Sequence, residues 1–178
     1  MDLTFLHPKL VHIPIALAVL MPLVAGGLTL ALFRDWLPKR AWFLALALQL
    51  ILVATGFAAM KTGEQDAEVV ERVVSETYVE AHEEAAEVFV WVALAALIPF
   101  ALTVAVRNPR VARLSAVAAT VGTLVVLALG YRVGEAGGNL VYRHNAAAAY
   151  ASIGGQTAGG ADQAVDQADE AEGNEDDD

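Results

Sequence analysis

The chain has 178 residues, is 57% hydrophobic, carries a net charge of −10 and contains no cysteine. The missing cysteine excludes disulfides, thiolate metal sites and thiol redox chemistry. The acidic balance, with six of its eleven basic residues in two short loops, argues against a nucleic-acid partner.

A bilayer crossing takes about 20 mostly apolar residues. Four stretches meet that length: residues 10–33, 41–60, 85–106 and 114–133. The expected fold is therefore all-α, a four-helix transmembrane bundle, because helices satisfy their backbone groups internally in lipid. Residues 1–150 read as one four-span membrane domain. Residues 151–178 read as a disordered acidic tail that ends in Asp176, Asp177 and Asp178 and buries too little apolar area to fold.

The chain opens with Phe5-Leu6-His7-Pro8-Lys9-Leu10-Val11-His12-Ile13-Pro14. Asp2 stands where a cleaved signal has a basic start, and the apolar run is too long for one, so the first span is expected to be retained. His7 and His12 are five residues apart, about 140° around a helix. They share a face only if His7 precedes the helix, as its position before Pro8 favours. Pro14 and Pro22 lie further in as candidate bends.

A short basic loop follows, Arg34 to Arg40, with Trp36 and Trp42 at the expected headgroup level. The second span is expected to end at Lys61-Thr62-Gly63-Glu64. Residues 65–84 are acidic, yet Val69, Val70, Val73, Val74, Thr77, Tyr78 and Ala81 recur at helical spacing. They predict an amphipathic extension that leads into the third span. His82 falls on its apolar stripe, beside Glu83 and Glu84. A second basic loop, Arg107 to Arg113, precedes the fourth span. That span is expected to break at Gly134-Glu135-Ala136-Gly137-Gly138, and the residues after it, to about Ala149, to form one more short surface helix.

The two basic loops hold Arg34, Lys39, Arg40, Arg107, Arg110 and Arg113, six of the eleven basic residues, and only one acid, Asp35. Basic residues accumulate on the cytoplasmic side. The protein is thus expected in the cell membrane with both termini outside. The up-down topology then brings His7, His12, Glu64, His82, Glu83 and His144 to the outer end of the bundle.

The ordered set His7-Pro8-Lys9-Leu10-Val11-His12-Ile13-Pro14, Thr62-Gly63-Glu64, His82-Glu83 and Gly134-Glu135-Ala136-Gly137-Gly138-Asn139-Leu140-Val141-Tyr142-Arg143-His144 resembles the membrane family called domain of unknown function 2231. The resemblance covers roughly residues 5–150. The usual opening has Phe at the place of Ile13, and Gly usually follows the closing histidine, where this chain has Asn145. The resemblance implies a four-span prokaryotic membrane domain and assigns no activity.

Function is therefore read from the residues. Neutral imidazole is a common metal ligand, and histidines on two helices can clamp a haem iron. His12 and His82 are the expected axial pair for haem b, with His7 and His144 in supporting roles. Glu64 and Glu83 are expected to accept the second imidazole N–H. The chain would then be an electron-transfer subunit, in contact with lipid and with other membrane or redox proteins. Direct binding of zinc, copper or iron by His12 and His82 is the second expectation, although no recognised ligand spacing supports it. A plain assembly module is the third, since small residues such as Gly26, Gly27, Ala45 and Ala93 permit close packing. Span centres without Asp, Glu, Lys or Arg argue against a transporter. No nucleophile motif indicates a catalytic residue.

Overall fold

A computed structural model describes residues 6–149. Its elements are α1 (Leu6–Leu10), α2 (His12–Phe33), a 3-10 turn at Lys39–Ala41, α3 (Trp42–Val70), α4 (Glu76–Ala105) and α5 (Pro109–Tyr142). The described residues form no strand. Four of the helices are long and apolar enough to cross a membrane. The acidic tail expected from residue 151 lies outside the described residues.

Local chemistry sets the helix ends. Pro14 has no N–H to offer the Leu10 carbonyl, one turn back, and the chain steps at Val11 between α1 and α2. His7 consequently lies inside a short helix of its own rather than ahead of the first one. At the other end Asp35 takes a left-handed φ of 54° to reverse the chain. Its carboxylate accepts from Arg113 at 3.2 Å. Lys39 donates to the carbonyl of Val106, the residue just after α4, at 2.6 Å. Asn108 caps α5: its Oδ1 accepts from the Arg110 N–H at 2.9 Å, with Pro109 in the first turn. The basic loops are thus tied to each other across the bundle.

Three boundaries differ from expectation. α3 does not end at Gly63 but runs on to Val70. The acidic extension is split: its first part belongs to α3, residues 71–75 turn, and its second part begins α4. α5 passes through Gly134, Gly137 and Gly138 and stops at Tyr142. A helical glycine costs roughly 1 kcal/mol against alanine, and here packing offsets that cost. Val70, Val74, Val79, Leu140 and Ala146 form a second apolar cluster that binds the extended helix ends together.

The main core is built from small residues with a few large ones between them. Ala18, Ala25, Ala45, Ala93, Ala116 and Ala119 are almost fully buried beside Met21, Trp42, Leu52, Val90, Phe100 and Val126. Trp42 and Phe100 meet as tilted rings, 5.7 Å between centroids. Alanine at the contacts lets helices approach closely, and without a hydrophobic drive in lipid that contact area is what holds them. Large apolar side chains, among them Leu23, Ile98 and Leu114, point outward, as lipid requires.

The burial pattern repeats. A shift of 75 residues carries four of the five buried positions of α2, Pro14, Ala18, Met21 and Ala25, onto buried positions of α4, Phe89, Ala93, Ala96 and Phe100. A shift of 74 carries Trp42, Ala45, Gln49, Leu52 and Gly56 of α3 onto Ala116, Ala119, Thr123, Val126 and Gly130 of α5. The helices pack in ring order α2, α3, α4, α5, and α5 closes against α2. A half-turn about the bundle axis therefore exchanges the pair α2–α3 with the pair α4–α5, as in parallel repeats of membrane proteins.

Candidate functional site: a histidine pair at one end of the bundle

The repeat places His7 and His82 in equivalent positions, one from each half. α1 holds His7 against α3, where a β-carbon on Gly63 would stand 3.1 Å from the imidazole Cε1. α4 holds His82 against α5, where a β-carbon on Gly137 would stand 3.1 Å from the same ring atom. Each imidazole therefore lies in a notch that only glycine leaves open. The notches explain why α3 and α5 carry glycine within a continuous helix.

The backbone contacts repeat as well. His7 Nδ1 lies 2.8 Å from the Ala59 carbonyl oxygen and 3.2 Å from the Thr62 hydroxyl. A carbonyl only accepts, so Nδ1 carries the proton and donates. Thr62 donates its own proton to the Ala58 and Ala59 carbonyls, at 3.1 and 3.0 Å. In the neutral ring Nε2 of His7 is then an unprotonated donor atom. His82 faces the carbonyl of Val133, the counterpart of Ala59. The contact is looser than a hydrogen bond, because His82 Nδ1 is buried with no partner. The two imidazoles are close enough for their charges to interact.

Beneath them Phe89 fills the centre of the bundle. One edge of its ring faces Gly56 and the other Gly130, where β-carbons would stand 3.8 and 3.3 Å from it. Pro14 occupies the equivalent position in the other half.

The remaining candidates are placed differently. His12 is exposed, so the pair facing inward is His7 with His82 and not His12 with His82. His144 stacks on Tyr78, centroids 3.8 Å apart, and fastens the turn after α5 to the start of α4. Glu64 is exposed, and Glu83 lies within charge reach of Glu71, Glu64 and Glu80. No hydrogen bond joins either carboxylate to a histidine among the described residues; a backbone carbonyl orients His7 instead. Nor is any group of three or more His, Cys, Asp or Glu among them arranged to hold a metal ion. The residues that sequence reasoning missed are Ala59, Thr62, Gly63, Gly137 and Phe89. Thr62, Gly63 and Gly137 stand in the motifs quoted from the sequence, where the glycines read as helix ends rather than as notches.

A cleft of about 420 Å³ lies between α2 and α5, bordered by Ala18, Gly130, Tyr131, Gly134 and Glu135. A second, of about 250 Å³, lies between α4 and α5 beside Glu84 and Arg132. Neither is lined by a histidine.

Compared with known protein families, residues 4–149 match the model described as "Predicted membrane protein (DUF2231)". The match spans most of the chain, and the chain belongs to this family. Comparison with curated proteins and with solved structures finds no match.

Proposed function

We propose that the protein is a haem-binding electron-transfer subunit of a prokaryotic cell membrane, with His7 and His82 as the residues that would hold the haem iron. The observation that carries this reading is the pairing itself. Two imidazoles come from the two halves of the bundle, and one of them has its Nδ1 committed to a carbonyl and its Nε2 free. Ligating histidines are commonly prepared in this way. The donor set fits haem better than a bare ion. A porphyrin supplies four nitrogens and asks the protein for two, whereas structural zinc asks for four protein ligands and catalytic zinc for three. The buried, orphaned Nδ1 of half-buried His82 also fits, since rotation or a small helix shift would bring it to the Val133 carbonyl.

Bound haem would supply one-electron transfer at the histidine end of the bundle. In this chain His7 and His82 would hold the iron, the Ala59 carbonyl and Thr62 would fix the ring plane of His7, and Phe89 would close the floor against the apolar core. With the basic loops in the cytoplasm, this end and both termini face outward.

A second reading is favoured by one observation: neither cleft touches His7 or His82. On that reading the imidazoles are packing residues that lock α1 to α3 and α4 to α5, and the chain is an assembly module.

Absorbance decides between them. Protein purified in mild detergent from cells that make haem is expected to show a Soret band that shifts on reduction. His7→Ala and His82→Ala should each abolish the band, and His12→Ala should leave it. A colourless wild-type preparation from such cells rejects the haem reading. Stoichiometric zinc, copper or iron without colour would indicate the direct-metal alternative.

A further inference from the structure

The two halves of the repeat can be compared groove by groove, and one groove differs from its counterpart. Between α3 and α4 large side chains meet across the groove. Phe57 and Trp91 meet edge to face, centroids 5.7 Å apart. Val90 covers Gly56, coming within 3.3 Å of where its β-carbon would stand. The equivalent interface is α5 against α2. There the same shifts of 74 and 75 residues put Tyr131 for Phe57, Ala16 for Trp91, and Gly134 for Met60. Tyr131 and Gly134, the counterparts of Phe57 and Met60, border the cleft of about 420 Å³, and by the repeat an indole at Ala16 would lie beside Tyr131 as Trp91 lies beside Phe57.

We infer that this cleft between α2 and α5 binds a lipid-soluble quinone. Its volume falls within the range of about 300–1,000 Å³ typical of small-molecule sites. Its shape follows from the repeat: what the other half fills with side-chain rings is a slot for a planar ring. Its floor, Ala18 and Gly130, is smooth enough for flat contact. Its wall is apolar on the α2 side, Ile15 and Val19. Two polar groups stand at the histidine end, the phenol of Tyr131 and the carboxyl of Glu135, and a phenol O–H can donate to a quinone carbonyl. The α2 and α5 surfaces beside the cleft carry exposed Val19, Leu20 and Leu124, so an isoprenoid tail would leave the slot directly into lipid. An acyl chain would use the apolar wall but neither the flat slot nor the polar pair. The cleft is lined by no histidine, so the inference stands whether or not His7 and His82 hold haem.

The test is binding of decylubiquinone to the full chain in phosphatidylcholine nanodiscs, followed by quenching of intrinsic fluorescence and by equilibrium partition. Wild type is expected to bind it saturably at about one per chain above the lipid background. Ala16→Trp combined with Gly134→Met copies the filled groove into the open one and should weaken binding at least tenfold, with helical content and elution unchanged. Tyr131→Phe, which removes only an exposed hydroxyl, should weaken it several-fold, and it keeps the test decisive should the double variant fail to fold. Three results would each overturn the inference: no saturable binding to wild type, equal binding to both variants, or equal displacement by decane, which would identify an acyl slot.

Discussion

His82 lies against Gly137 so closely that a β-carbon there would stand 3.1 Å from the imidazole Cε1, whereas the neighbouring Gly138 faces nothing within 4 Å. Adjacent glycines of one helix thus answer to different constraints. Gly138→Ala should stabilise the protein by up to about 1 kcal/mol, the helix propensity gain alone. Gly137→Ala should gain nothing net, because the same propensity is spent displacing the ring, and Gly137→Val should destabilise by about 1–3 kcal/mol through overpacking. Unfolding of the three variants in detergent measures the order. Equal effects of alanine at both sites would contradict the notch.

Gln49 donates from Nε2 to the Ala93 carbonyl at 2.9 Å, in the middle of the bundle, while its Oε1 is buried without a partner. Gln49→Leu removes an interhelical hydrogen bond worth about 0.6–2 kcal/mol in lipid, but it also removes the orphaned oxygen. Stability should change by less than about 1 kcal/mol. Gln49→Ala leaves a cavity as well and should cost about 2 kcal/mol or more. A loss well above about 1 kcal/mol for leucine in reversible unfolding would show that the oxygen has a partner.

The two ties at the basic end should differ in weight. Arg113 and Asp35 form an exposed pair, and Arg113→Ala should cost under about 1 kcal/mol, less at high salt. Lys39 donates to a helix-terminal carbonyl at 2.6 Å, and Lys39→Met should cost about 1–2 kcal/mol with little salt dependence. Melting each variant at low and high ionic strength separates the two.

Thr62 is the secondary acceptor for His7, so Thr62→Val should leave the imidazole in place on the Ala59 carbonyl at a cost of about 0.5–1 kcal/mol. Histidine-labelled protein should keep the Nδ1–H tautomer of His7, visible in its ¹⁵N shifts. A switch to the Nε2–H tautomer would transfer the main role to the hydroxyl.

Much of the fold is legible in the apolar runs. All four spans are where residue type places them, because a span that satisfies its own backbone in lipid is a helix; the second basic loop is shorter than expected, since α5 already starts at Pro109. The helix ends are not, since beyond the apolar segment glycine and acid read locally as a stop. What carries α3 to Val70 and α5 to Tyr142 is tertiary: a ring in each notch and the Val70, Val74, Val79 and Leu140 cluster. The angle between His7 and His12 is legible too, but His7 lies within a helix and not ahead of it, so the shared face expected from Pro8 does not form. Which one turns inward depends on the step at Val11, which no spacing rule reveals. The repeat is hidden because the halves share burial more than identity. Only His7 with His82, Ala18 with Ala93, Ala45 with Ala119, Gly56 with Gly130 and Gly63 with Gly137 match among the positions that define it.

Phe89 occupies a place that its counterpart, Pro14, could not fill in the same way. The centre has room for one benzyl group, and two identical ones related by a half-turn would collide. A homodimer of two-helix units would have to leave that spot small in both copies, or hold the ring out in both. Joining the units in one polypeptide lifts that restriction, because each half can mutate alone. The same freedom lets one groove keep its tryptophan while the other loses it, so the fused chain can devote its two faces to different tasks.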